Sequence, residues 1–327
     1  MSEVIPLNGW GVDVSPFHAG EQAVQERAGV RGVADSMGRR GIRRFMPDQH
    51  REFFAAQPFF VIGGVDASGQ PWATLRVGGT GFVSTPDDHT LRIEGGALRG
   101  DPLAGSWHEG AMFGGLGIEP RVRRRNRVNG RVKANEDDTL LIEVTQSFGN
   151  CPKYIQSRTP LSVVPDTATT DAEPEIATQL GAADRELVAR ADTFFIASAN
   201  LSDEAGLARG VDVSHRGGAP GFVRVDDANT LIAPDYSGNR FFNTIGNLVQ
   251  EPRAGLLFID FATGNMLYVA ARAEIVWEGA ELAAFAGAQR LVRFHVEQVR
   301  RSRGALPLRW SEAELAPQFL PKVREGV

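Results

Sequence analysis

The chain has 327 residues, 42% of them hydrophobic and 23% charged, a composition that supports about two packed domains and excludes the disordered and fibrous classes. Lys and Arg number 35 against 40 Asp and Glu, and the formal charge of −5 argues against a general nucleic-acid or anionic-membrane binder. One cysteine, Cys151, rules out an internal disulfide framework and a cysteine zinc site, and the six histidines show no metal-ligand spacing.

The first residues place an acid where a secretory signal needs a basic residue, and apolar runs such as 254–259 are too short to span a bilayer. A cytoplasmic protein is expected. Residues 1–45 read as an N-terminal extension containing a helix, with Ser15 as its cap and Pro16 at its first position. A second helical pattern at 47–57 leads into the apolar run 58–66, and alternation over 140–146 predicts a strand. Residues 159–175 are rich in Thr, Pro and acids and lack periodicity, so a linker is placed over 159–182. After it come a helix over 183–191, an apolar run at 193–201 and an alternating strand over 290–298. Short strands separated by turn signals favour antiparallel barrels over parallel βαβ units.

A repeat underlies this order. Residues 74–91 align on 214–231 without a gap, and eight of the 18 positions are identical, among them Arg76/Arg216, Gly78/Gly218, Gly81/Gly221 and Phe82/Phe222. The match is expected to continue as Asp101-Pro102 over Glu251-Pro252, Ala104-Gly105 over Ala254-Gly255, Val144 over Val296 and Gln146 over Gln298, with 58–66 over 193–201. Two homologous domains are expected, 46–158 and 183–327.

Three segments carry residues suited to a phosphate, because Arg offers a bidentate fork and small residues let backbone approach a ligand. In 212–218, Ser214 and Arg216 share one strand face, with Gly217 and Gly218 clearing space and His215 between them; a glycine bulge beside an exposed arginine is the bland alternative. In 235–243, Tyr236 precedes a turn of Ser237, Gly238 and Asn239 whose amides suit an anion, with Arg240 and Asn243 adding charge and donors; an ordinary hairpin turn is the alternative. Residues 121–133 hold seven cations and no acid, for which a solvated face is the default. Neighbours on a strand face opposite ways, so Arg124 and Arg125 do not serve one site without a bulge. Cys151 lies beside Pro152 and Lys153, a setting for either a reactive thiolate or a small buried residue.

These stretches resemble the pyridoxamine 5'-phosphate oxidase-like FMN-binding split-barrel family, in its tandem-duplicated bacterial branch. The strand pairs around Arg76 and Arg216, the strand, turn and helix of 231–260, the arginine-rich segment 124–130 and the motif QSFGNCPKYIQSR at 146–158 carry the resemblance, which spans about residues 45–312. It implies a mainly β (α+β) chain: two tandem split β-barrels forming an intrachain pseudo-dimer, with the helical extension in front. It further implies FMN held by Ser214, His215, Arg216, Gly218, Tyr236, Ser237, Asn239, Arg240 and Asn243. From the first half it adds Arg125, Gln146, Ser147, Asn150 and Lys153. The implied function is an FMN-dependent oxidoreductase acting between a donor, a nicotinamide cofactor or a redox protein, and a small organic substrate. Alternatives are a pyridoxamine-phosphate-type oxidase and a non-catalytic flavin or haem sensor. No nucleic acid, membrane or metal is implied, and a homodimer is open to it. The turn at 235–243 has no equivalent after Leu91, and 265–271 lacks the arginines of 124–130. One flavin per chain, gripped by the second half and completed by the first, is therefore expected.

Overall fold

The computed structural model describes residues 9–163 and 173–320. The chain opens with helices α1 (Ala19–Arg27) and α2 (Arg31–Gly41). Ser15 does not cap α1: His18 does, because Glu21 three residues on reaches back to its backbone N–H while the His18 ring accepts from Gly20. Ser15 instead binds Asp35.

Helix α3 (Asp48–Ala55) precedes strands β1 (Phe59–Val65), β2 (Pro71–Val77), β3 (Val83–Ser84), β4 (Thr90–Ile93), β5 (Met112–Glu119), β6 (Arg124–Glu136) and β7 (Thr139–Gly149). They form one antiparallel sheet of order β2-β1-β5-β6-β7-β4-β3. After β8 (Pro160–Val163), β9 (Glu175–Ala177) and α4 (Ala182–Arg190) come β10 (Thr193–Asn200), β11 (Gly210–Gly217), β12 (Arg224–Val225) and β13 (Thr230–Tyr236). Helix α5 (Asn243–Gln250), β14 (Arg253–Ile259), β15 (Met266–Val276), the short α6 (Ala280–Ala283), β16 (Ala288–Ser302) and β17 (Leu308–Trp310) complete the chain. The second sheet has the order β11-β10-β14-β15-β16-β13-β12, the same path as the first.

Strand pairing fixes equivalent positions. Phe60 pairs with Arg76 as Phe194 pairs with Arg216, and Arg127 pairs with Leu116 as Tyr268 pairs with Leu257. A register shift follows Asn129 in one sheet and Ala270 in the other, at the positions that pair with Gln146 and Gln298. Two expected correspondences need correction. The run at 193 aligns one residue earlier than expected, since Pro58 O and Asp192 O receive the N–H of Gly78 and Gly218. Asp101-Pro102 and Ala104-Gly105 have no strand counterparts at 251–255, because the structural mate of Gly255 is Gly114. A one-residue slip in a strand exchanges its two faces, so identity alone could not set this register.

The repeated glycine pattern has a packing cause. A Cβ on Gly78 or Gly218 would lie 2.4 or 2.1 Å from Phe82 or Phe222, the aromatic four residues on. The halves also pack through equivalent glycines: a Cβ on Gly114 would meet Val211 O at 2.5 Å, and one on Gly255 would meet Pro71 O at 2.1 Å. Only glycine allows these approaches of backbone to backbone. Each sheet has its own large apolar cluster, and the cluster around Phe60, Trp72 and Leu116 extends across to Phe195, Val213 and Leu257 of the second half.

The segment read as a linker contains two strands. β8 pairs with β17 and β9 with β16, partners more than 100 residues away that local composition does not reveal. Its residues 164–172 lie outside the described ones. Among the described residues no helix is long and apolar enough to cross a membrane.

Candidate functional site at the junction of the halves

A cleft of about 630 Å³, its mouth included, opens between the sheets. The first half supplies Leu116 on β5, Arg125 and Arg127 on β6, and Asn150 and Cys151 after β7; the second supplies Ser214, His215 and Arg216 on β11, Asp235 and Tyr236 on β13, the turn after it, and the start of α5. Residues two apart on β6 share a face. Arg125 and Arg127 therefore reach the cleft, while Arg124 turns away to lie over Phe53 and donate to Gln49 O.

The four cleft arginines are held differently. Arg127 is buried, donating to Asp212 at 2.6 Å and to the Ser214 hydroxyl. Arg216 binds Asp235, whose other oxygen accepts from buried Arg290 at 2.6 Å. Arg125 has no carboxylate partner among the described residues. It donates to the carbonyls of Cys151 (2.8 Å) and His215 (3.1 Å) and to His215 Nδ1 (2.9 Å). Burial lowers its pKa to about 10, with Arg216 and Arg127 pushing the same way against Cys151. Arg125 stays charged at neutral pH. Arg240 is exposed at the rim. His215 is held well below its usual pKa, first by burial and then by Arg125, Arg158 and Arg216. Its ring is neutral at physiological pH and its Nδ1 is taken as an acceptor, so it positions Arg125 and does not donate a proton from that nitrogen.

The turn after β13 adds main-chain donors. Arg240 and Phe242 take left-handed φ values of 68° and 62°, a conformation that costs a non-glycine residue about 1 kcal/mol or more and marks an over-determined local structure. Phe242 is the N-cap of α5 and makes no side-chain cap bond. The first-turn amides of Asn243, Thr244 and Ile245 therefore lie at the cleft without an intrahelical acceptor. Asn239 Nδ2 reaches Asn150 Oδ1 across the halves at 3.2 Å.

Of the residues singled out from sequence, Ser214, His215, Arg216, Tyr236, Asn239, Arg240, Asn243, Arg125 and Asn150 line the cleft. The other five stand elsewhere. Gly218 lies under Phe222, and Ser237 contributes its carbonyl to the Tyr154 hydroxyl at 3.1 Å. Gln146 lines a neighbouring polar recess with Glu21, Asn129 and Asp212. Ser147 is buried against His50 Nδ1 at 2.8 Å, and Lys153 is exposed. Sequence reasoning missed Arg127, which its spacing of two from Arg125 could have revealed. It also missed Asp235, Leu116 and Thr244.

The N-terminal extension braces α5, whose first turn lines the cleft. Glu21 accepts from Asn243 and from His18 N, and Asn247 joins His18 to Asp212 through bonds of 2.8 Å each. Burial, then Asp212, raises the Glu21 pKa to about 8. Glycines again permit the contact: a Cβ on Gly20 would lie 2.4 Å from Gly246 O of α5.

The fold is thus mainly β, with a cationic cleft between two like sheets. Residues 180–315, which span the second sheet, match the family model described as pyridoxamine 5'-phosphate oxidase. Over that segment the resemblance read from the sequence holds. Among solved structures, the chain is similar to an H111A variant of Group A Streptococcus HupZ, with 14% identity, TM-score 0.30, and coverage of 37% of this chain and 98% of that one. A putative pyridoxamine 5'-phosphate oxidase of Lactobacillus delbrueckii gives 16%, 0.30, 38% and 94%, and an FMN-binding protein of Syntrophomonas wolfei gives 13%, 0.25, 36% and 88%. No curated protein matches the chain.

Proposed function

We propose that the cleft binds FMN and that the protein is a flavin-dependent oxidoreductase exchanging electrons or hydride between a donor, such as a nicotinamide cofactor, and a small organic substrate. The observation that carries this reading is Arg125, a half-buried guanidinium beside two other cleft cations and with no carboxylate among the described residues. An anion there offsets a repulsion that the protein leaves standing. The chemistry of the site fits a phosphate monoester: Arg216 and Arg240 offer charge-assisted donors, Ser214 a hydroxyl, and the start of α5 free amides at the positive end of its dipole. Leu116, Phe242 and Ile245 give the cleft an apolar side.

When bound, the flavin supplies the hydride or electron exchange. The chain's own residues anchor and orient. Arg125 is held in place by neutral His215, Arg127 is fixed by Asp212 and Ser214, and the bond from Asn243 to Glu21 braces the start of α5. In the same reading the two sheets are tandem split barrels of common origin, packed as an intrachain pseudo-dimer. The absorption spectrum of the purified chain, with and without added FMN, tests the proposal. A bound-flavin spectrum that a nicotinamide donor bleaches and a substrate restores supports it. A folded chain that leaves added FMN unaltered rejects it.

A further inference from the structure

Asp235 sits between two guanidiniums. Its Oδ1 accepts from Arg216 and its Oδ2 from Arg290, the latter at 2.6 Å. Arg216 and Asp235 line the cleft and Arg290 does not; the Arg216 side chain is 25% exposed and that of Arg290 5%. Arg290 stands opposite Asp235 in the ladder of β13 and β16 and so holds the carboxylate from behind. Its guanidinium carbon lies 4.8 Å from the ring centre of Phe242 and 5.3 Å from that of Trp277, and Nη2 donates to Gln289 at 3.3 Å. Trp277 also carries Arg27 of α1, at 4.1 Å. Such cation–π contacts fix a guanidinium where it is partly desolvated. Phe242 caps α5, so Arg290 touches both parts of the anion grip: the acid behind Arg216 and the start of α5.

Charge decides what this arrangement does. Arg216 with Asp235 alone is a neutral pair, and adding Arg290 leaves the three with one surplus positive charge. Occupation of Oδ2 matters as well, because an arginine fork closes on a free carboxylate with two parallel bonds. With Arg290 on Oδ2, Arg216 spends only Nη1 on Oδ1, and its other guanidinium nitrogens have no protein partner among the described residues. Those nitrogens and the surplus charge are open to a phosphate oxygen in the cleft. The first half has no counterpart: β4 ends at Ile93, the mate of Ala233, before a position equivalent to Asp235.

We propose that Arg290 is a positioning residue that makes the cleft select a phosphorylated flavin over the same flavin without phosphate, acting through Asp235 on Arg216; this rests on the flavin reading above. The full-length parent, Arg290→Gln and Arg290→Lys are titrated with FMN and with riboflavin by flavin fluorescence. Arg290→Gln leaves Asp235 paired with Arg216, and it should weaken FMN about tenfold while riboflavin changes less than about twofold. Arg290→Lys restores the charge without the planar fork and should weaken FMN about threefold. The double variant with Arg216→Ala should bind FMN like Arg216→Ala alone, since Arg290 acts through that side chain. Equal losses of FMN and riboflavin, the mark of a merely structural role, overturn the proposal. So does an unchanged ratio of the two affinities in Arg290→Gln, or additive losses in the double variant. Where Arg290→Gln does not fold, Arg290→Lys decides by the same ratio. Calorimetric titration with inorganic phosphate separates this proposal from the flavin reading. A parent that binds phosphate but not FMN, with phosphate weakened in Arg290→Gln, rejects the flavin and keeps Arg290; a parent that binds neither overturns both.

Discussion

Arg76 and Arg216 occupy equivalent positions in two sheets of the same strand order, yet one is sealed and the other faces a cleft. Arg76 is buried against Asp101, at 2.8 Å, and burial raises the Asp101 pKa despite that partner. Across from it the mates of Arg125 and Arg127 are Met266 and Tyr268, and the Tyr268 hydroxyl meets Thr74 Oγ1 at 3.5 Å where Arg127 meets Ser214. One place has four arginines at or near an open surface, of which Arg127 and Arg216 are paired with Asp212 and Asp235; the other has one arginine paired with one acid beneath Met266 and Tyr268. The difference lies in side chains and in the loop after β4, which brings Asp101 in where the second half builds a turn and α5. A like backbone path thus gives a cation-rich recess, where Arg125 and Arg240 have no carboxylate partner among the described residues, or a closed core, where the one arginine is paired from within the chain.

The largest effect expected from this contrast is on stability. Arg76→Met leaves Asp101 buried without its cation, a change that costs about 3–5 kcal/mol when one partner of a buried pair is removed. Chemical denaturation should show that loss, while FMN affinity at temperatures where the variant is folded should match the parent's. A weakened affinity would mean that the closed place takes part in binding.

Next come Arg125→Ala and Arg216→Ala, each expected to weaken FMN about tenfold to a hundredfold by removing a charge-assisted contact of roughly 1.5–3 kcal/mol. Stability should move far less than in Arg76→Met. Asp235 keeps Arg290 when Arg216 is gone, and Arg125 has no acid to strand among the described residues. Titration with FMN beside a denaturation curve separates the two quantities, and parent-like binding by both variants would discard the assigned anion grip.

The N-terminal helix sharpens the contrast, since α1 packs on α5 and the first sheet has no helix between β4 and β5 for such a partner. Glu21 has a folded pKa of about 8 against an ordinary 4.5. A raised folded value favours the native state below pH 4.5, and that contribution is lost as pH rises toward 8. Between pH 6 and 7.5 the loss is about 2 kcal/mol. Glu21→Gln, which cannot ionise beside Asp212, should show a flatter fall of Tm across that window. An equally steep fall in both proteins would assign the pH response to other groups.

The sequence made one side of this contrast more legible than the other. Short motifs in β11 and in the turn after β13 carry most of the cleft, because residues a few positions apart at these strand ends line it together. The missing turn after Leu91 already distinguished the halves. What was not legible depends on distant partners: Asp101 sealing Arg76, Asp235 shared by Arg216 and Arg290, α1 seated on α5, and edge strands β8 and β9 inside an apparent linker. Gly218 misled for a related reason, since a glycine that makes room for Phe222 looks in sequence like one that makes room for a ligand.

The smallest effect concerns Tyr268 itself. Tyr268→Phe removes a hydroxyl whose partners among the described residues are a long contact to Thr74 and one to Met266 Sδ at 3.7 Å. A hydrogen bond at the weak end of the range is worth about 0.5 kcal/mol, so Tm should hardly move. The informative reading is stoichiometric. If the place around Arg76 is closed, flavin released from FMN-saturated, denatured chain should amount to one equivalent per chain in parent and variant alike. Two equivalents in the parent, or a loss of half the bound flavin in Tyr268→Phe, would show that both places bind. The replacement of two cleft arginines by Met266 and Tyr268 would then tune a second site instead of closing it.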